Sequence, residues 1–221
     1  MILTAKEIQH RRNCCHESGH TVAWVMNGDT VLLVVADPDA AMTTDQKELL
    51  AQAREAHRVV GGKGFAESTG CTVVHAKDRA CPRCEGVITT HISSPLTVNF
   101  HLSAGCPTCM DLLANHAACI CAGAAATSRL EHRTSLVDIL NNACRTLSEA
   151  QHDRHEVDRI LSGLIADQDR RDAIKDEAEH RAANWIQREW RAVSVLTEAL
   201  FQAGALEGAH AIQLVIENLN H

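Results

Sequence analysis

Cys15-His16-Glu17-Ser18-Gly19-His20-Thr21-Val22-Ala23-Trp24 is the stretch on which the fold turns. It contains His16-Glu17-x-x-His20, the pattern of a zinc hydrolase. On an α-helix residues four apart share a face, so both imidazoles can reach one ion. Glu17 follows the first ligand and leans toward the same ion, where it could take a proton from a metal-bound water. Zinc lowers the pKa of such a water to about 7. A structural histidine pair is the competing reading, because the chain has 14 histidines. The flanks favour the metal site. Thr4 and Glu7 form a capping box, and Gly28 sits where the helix should stop. The motif therefore falls inside a helix predicted over 4–27.

The chain has 221 residues, enough for one domain with a small insert. Its net charge of -7 argues against a nucleic-acid binder, as does the scarcity of aromatic residues. No run of about eighteen apolar residues suggests a membrane span, and the N-terminus lacks the pattern of a secretory signal. A cytoplasmic location is expected. Ten cysteines there should be thiols or metal ligands, not disulfides.

Cys14 and Cys15 adjoin His16, which raises the idea of a thiol nucleophile. Sequence neighbours point about 100° apart on a helix, so small buried residues are the better reading. Val31 to Ala36 suits a strand, ended by Asp37-Pro38-Asp39. Thr43 and Thr44 can cap a helix over 44–60 with Leu49, Leu50, Ala53 and Ala56 on one side. Gly61-Gly62-Lys63-Gly64 lacks the pattern of a phosphate loop. Cys71 to His75 reads as a second strand.

Cys81-Pro82-Arg83-Cys84 and Cys106-Pro107-Thr108-Cys109 form the second strong signal. Each C-x-x-C bends so that two sulfurs can bind one metal. Between Cys84 and Cys106 lie 21 residues, slightly beyond the usual ribbon range. Val87 to Ile92 and Leu96 to Leu102 could form a hairpin turned by Ser93-Ser94-Pro95. A zinc-ribbon-like insert over 78–110 is expected, with Cys81, Cys84, Cys106 and Cys109 holding a structural zinc. Four thiolates leave no open position for substrate. His75, His91 and His101 are nearby alternative ligands, and a redox role for either C-x-x-C is the lesser alternative.

Met110 to Leu130 predicts an apolar, alanine-rich helix, with Cys119 and Cys121 in the core. Leu136 to Leu147 continues as helix. Ser148 and Gln151 can cap another that carries His152, Asp153, His155, Glu156 and Asp158. A long helix is expected from Gln168 to Ala203, stopped by Gly204, and a short one ending near Leu219. The fold class is mainly α (α+β), one domain over 1–221 with a small β-sheet.

Two histidines do not complete a catalytic zinc site, which needs three protein ligands and one open position. Position 24, where some zincins place another ligand, is Trp. The acidic, histidine-rich helix start near residue 150 is the best remaining source, with His152, Asp153, His155 and Glu156 as candidates.

The chain resembles the peptidase domain of the FtsH-type ATP-dependent zinc proteases. His16 to Trp24 is similar to that family's H-E-A-G-H-A segment, and Cys121-Ala122-Gly123-Ala124-Ala125-Ala126 to its downstream apolar helix with a G-x-A-A core. Gln151-His152-Asp153-Arg154 resembles the segment in which an aspartate at a helix start is the third zinc ligand. Trp190 to Ile212, with Leu206-Glu207-Gly208, resembles the last helices and their L-x-G turn. The likeness covers both ends well and the middle poorly. It implies His16, His20 and Asp153 as zinc ligands and Glu17 as general base. A helix-capping carboxylate is the alternative role for Asp153. The family's membrane anchor and ATPase module have no counterpart here, and the helix over 44–60 and the cysteine insert look foreign to it.

The expectation is therefore a zinc metallopeptidase with one catalytic and one structural zinc. Its substrate would be a peptide or protein, with a separate ATPase or regulatory protein as a possible partner and no membrane contact. The alternative is a non-catalytic zinc-ribbon module that binds protein and carries a relic or structural H-E-x-x-H site. A different H-E-x-x-H class, such as a regulator-cleaving peptidase, ranks below the FtsH-type reading.

Overall fold

A computed structural model describes residues 4–61, 70–75, 77–91, 97–103, 105–132, 151 and 153–220. The chain is mainly helical with small antiparallel sheets, as its periodicity suggests. Helix α1 spans Ala5–Met26. Thr4 caps it: its hydroxyl accepts the Glu7 N–H at 3.3 Å, and its own N–H donates to Glu7 Oε2 at 2.7 Å. At the far end Gly28 takes φ +81°, a left-handed turn that suits glycine, and its N–H reaches the Val25 carbonyl at 3.0 Å.

Strand β1 (Thr30–Val35) follows, then α2 (Thr44–Gly61) and β2 (Cys71–His75). β1 pairs antiparallel with β2 and, on its other side, with β6 (Ala205–Glu207), giving the order β2-β1-β6. Val31 and Val34 face the helices, while Leu33, Val35, Cys71 and Val73 face Leu50 and Ala53 of α2. The helix predicted over 44–60 thus covers the second face of this sheet. Strands β3 (Arg79–Ala80), β4 (Val87–His91) and β5 (Thr97–His101) make the other sheet, so the expected hairpin forms.

Helix α3 runs from Pro107 to His132, starting three residues before the expected Met110. Proline is preorganised for the first helical position, so the second C-x-x-C becomes the helix start. The insert boundary expected at 110 lies inside this helix. By length and composition α3 could cross a membrane, but 67% of its apolar window is buried within the fold, as befits a core helix. Helix α4 covers 153–164. Residues 136–147, read as helix, and the Ser148 end of the cap lie outside the described residues.

The long helix expected from Gln168 to Ala203 is two: α5 (Gln168–Arg188) and α6 (Trp190–Ala203). They break at Glu189, which has neither the φ of a helix nor a glycine or proline to announce it. Its side chain is 2% exposed, and its carboxylate accepts the Asn220 N–H at 2.8 Å and the Arg188 Nε–H at 2.6 Å. A buried charge so placed needs such donors. Leu206 and Glu207, expected in a turn with Gly208, belong with Ala205 to β6 instead, and α7 (Gly208–Ile216) follows. The main core gathers Val22 and Ala23 of α1, Leu113 and Ala122 of α3, Leu161 of α4, Ile186 of α5 and Leu196 and Leu200 of α6.

Candidate metal centres

α1 and α3 pack closely because both are small where they cross. A side chain at Gly19 would collide with the Ala122 backbone, and one at Gly123 would collide with the rings of His16 and His20. The imidazoles therefore occupy the space that glycine leaves free on α3. His16 Nε2 and His20 Nε2 lie 3.0 Å apart, with the rings edge to face. Two ring nitrogens at this distance hold either a proton or a cation between them.

Asp153 supplies the third donor. It lies on α4, whose Val157, Ile160 and Leu161 are buried on the same face at helical spacing. Its Oδ2 lies 3.7 Å from His16 Nε2 and its Oδ1 3.6 Å from His20 Nε2. Oδ2 is buried without a hydrogen-bond donor among the described residues. Buried carboxylate oxygens ordinarily have one, so this atom fits a cation. All three donor atoms fall within 4.8 Å of one another. Donors around a tetrahedral zinc at about 2.0–2.1 Å sit roughly 3.4 Å apart, close to these separations. Among the other candidates, His155 is exposed and Glu156 is paired with Arg159 at 2.6 Å. His152 lies outside the described residues.

The surroundings orient the ligands. His20 Nδ1–H donates to the Cys119 carbonyl at 3.0 Å, which turns Nε2 toward the cluster. Burial lowers the His20 pKa, but the Asp153 charge and hydrogen bond, with Glu17 and the Cys119 carbonyl, outweigh it and lift it to about 9. Glu17 is 5% exposed, and its Oε2 accepts the Thr72 hydroxyl at 2.7 Å. Sequence reading missed Thr72, the Cys119 carbonyl and the role of Gly123. Only the G-x-A-A likeness touched the last.

Cys14 and Cys15 are core residues, as expected. Burial pushes both thiols up to about 12, so neither offers a thiolate near neutral pH. Trp24 packs edge-on against His116 at 5.0 Å, and His116 does the same against Phe100 of β5. Burial drops the His116 pKa to about 4, so the ring is neutral. This aromatic run ties α1 to the second sheet through α3.

Cys81, Cys84, Cys106 and Cys109 also converge. Cys81 and Cys106 sulfurs are 3.6 Å apart, and those of Cys84 and Cys109 are 3.3 Å apart. Sulfurs on a tetrahedral zinc sit about 3.8 Å apart, so the set is compatible with that ion. Cys106 precedes Pro107 at the α3 start, where the Cys109 N–H donates to its sulfur. That bond outweighs burial and lowers the Cys106 thiol to about 6. Burial raises Cys109 to about 12. Gly86 leaves room for the Cys109 sulfur, which a side chain there would meet at 2.7 Å. His101 is exposed, and neither it nor His75 belongs to the cluster.

The insert is anchored to α1. Arg79 donates to Asp29 Oδ1 at 2.6 Å and to the Asn27 carbonyl at 2.5 Å, and Lys77 N–H reaches Asp29 at 2.7 Å. The second sheet is thereby fixed to the helix that carries both histidines.

No protein-family model matches the chain, and no curated protein matches it. The functional reading accordingly rests on the chemistry of these two clusters.

Proposed function

We propose that this protein is a zinc-dependent metallopeptidase of the FtsH-type peptidase class, acting on peptide or protein substrates. The observation that carries the reading is the convergence of His16, His20 and Asp153 on one point, with the Glu17 charge acting on His20. His16, His20 and Asp153 would hold the catalytic zinc, and Cys81, Cys84, Cys106 and Cys109 a structural one. Zinc held by three protein donors supplies Lewis acidity toward a water and a peptide carbonyl. Glu17 accepts the proton of the attacking water and returns it to the leaving amine. Cys119 keeps the His20 tautomer that leaves Nε2 available. A cytoplasmic setting, which keeps the four thiols reduced, and a separate unfolding ATPase as partner belong to the same proposal.

The test is metal content together with casein cleavage by wild type, Glu17→Gln and Asp153→Asn. Wild type is expected to bind two zinc ions per chain and to cleave. Glu17→Gln should keep both ions and lose cleavage by about 100-fold or more. Asp153→Asn should lose one ion and the activity. A doubly loaded wild type that cleaves nothing, indistinguishable from Glu17→Gln, overturns the reading. The four-thiol cluster supports a second reading, a non-catalytic protein-binding ribbon. One zinc per chain, held by cysteines alone, would favour it.

A further inference from the structure

We propose that Thr72 is a positioning residue for Glu17, holding the carboxylate of the general base in one orientation from the neighbouring strand. The inference rests on the peptidase reading. Thr72 belongs to β2, which lies at the edge of its sheet beside α1. Its hydroxyl has three acceptors in reach: Glu17 Oε2 at 2.7 Å, the Glu17 main-chain carbonyl at 3.3 Å and the Thr21 hydroxyl oxygen at 3.5 Å. The carbonyl already accepts the Thr21 hydroxyl at 2.8 Å. A hydroxyl has one proton to give, and a carboxylate is the stronger acceptor. The Thr72 proton therefore goes to Oε2.

The strand start is shaped for the same carboxylate. A side chain at Gly70 would collide with Glu17 Oε1 and lie 2.9 Å from both Cγ and Cδ. The carboxylate thus rests where glycine leaves a gap, two residues from the hydroxyl that binds it. Register makes the arrangement specific. Thr72 pairs with Val34, while Cys71 and Val73 point to the opposite face and pack against α2. A slip of one residue would place an apolar side chain over Glu17.

Without this donor the Oε2 side of the carboxylate loses a fixed partner while the zinc ligands keep theirs. Outer-shell partners of this kind affect activity by about 10–100-fold. Thr72→Val preserves shape and β-branching but not the donor, and Thr72→Ser restores the donor. Thr72→Ala is a second variant without the hydroxyl, should the valine variant fold poorly.

The experiment measures zinc content and steady-state peptide cleavage for wild type, Glu17→Gln and the three Thr72 variants. It also compares Glu17 in crystal structures of the zinc-loaded wild type and Thr72→Val. The expected result is full zinc content throughout, a 10–100-fold loss of kcat in Thr72→Val and Thr72→Ala with KM within about twofold, near-complete rescue in Thr72→Ser, and a reoriented Glu17 carboxylate in Thr72→Val. Wild-type kcat in Thr72→Val, an equal loss in Thr72→Ser, or an unmoved carboxylate overturns the assignment. If wild type and Glu17→Gln are both inactive, the peptidase reading fails, and the Glu17 orientation alone then decides the role of Thr72.

Discussion

His20 Nδ1 lies 3.0 Å from the carbonyl oxygen of Cys119, so a main-chain acceptor on α3 decides which imidazole nitrogen faces Asp153. The consequence is a competition between proton and metal. With its pKa at about 9 before metal binds, His20 carries a proton on the nitrogen that the ion needs. Zinc affinity at this site should rise by up to about tenfold per pH unit between pH 6.5 and 9. Chelator competition across that range checks it, with the four-cysteine site loaded throughout. Stability of the metal-free protein should move the other way. A folded pKa raised above the ordinary 6.5 stabilises the fold fully below that value, and this contribution disappears as pH rises through about 9. Thermal melting of the chelated protein should accordingly fall from pH 6.5 to 9.

Gly123→Ala puts a methyl group against both histidine rings, within 2.7 Å of carbons on each. We expect the fold to survive and zinc affinity at the His16–His20 site to drop by about tenfold or more. Metal titration of Gly123→Ala against wild type measures this. An unchanged affinity would mean that the rings do not occupy that gap when the ion is bound.

Arg79 is the main charge partner of Asp29, whose side chain has no exposure. Arg79→Ala leaves a buried carboxylate with the Lys77 N–H and the Asn27 amide as its remaining donors among the described residues. The expected loss of stability is about 3 kcal/mol. Urea unfolding followed by circular dichroism checks it, and wild-type stability in the variant would contradict the anchoring role.

Glu189→Ala should loosen the corner between α5 and α6 and release the chain end held at Asn220. Removing a buried acceptor from this set should cost about 1–3 kcal/mol. The midpoint of urea unfolding reads the effect, and proteolytic trimming near Asn220 should quicken with it.

The elements that were legible in the sequence are those whose signals are local. Thr4 and Glu7 cap α1 within a single turn, Gly28 ends it, and the two C-x-x-C pairs each bend their own backbone. Asp153 came from the family resemblance, while the residues alone left four candidates. What escaped depends on distant partners. The break at Glu189 follows from Asn220, 31 residues later. β6 is a strand because β1 lies beside it, and Thr72 gained its role from Glu17, 55 residues earlier. Short-range patterning carries no information about such pairs.

Helix α3 carries Cys109 in its first turn and, further along the same axis, the Cys119 carbonyl and the gap at Gly123. A single inserted residue between Cys109 and Cys119 would rotate everything downstream by about 100° and advance it about 1.5 Å. The sulfur cluster and the imidazole pair would then fall out of phase, though every ligand was still present. The distance in sequence between these two chemistries is therefore constrained more tightly than the identities of the residues that fill it.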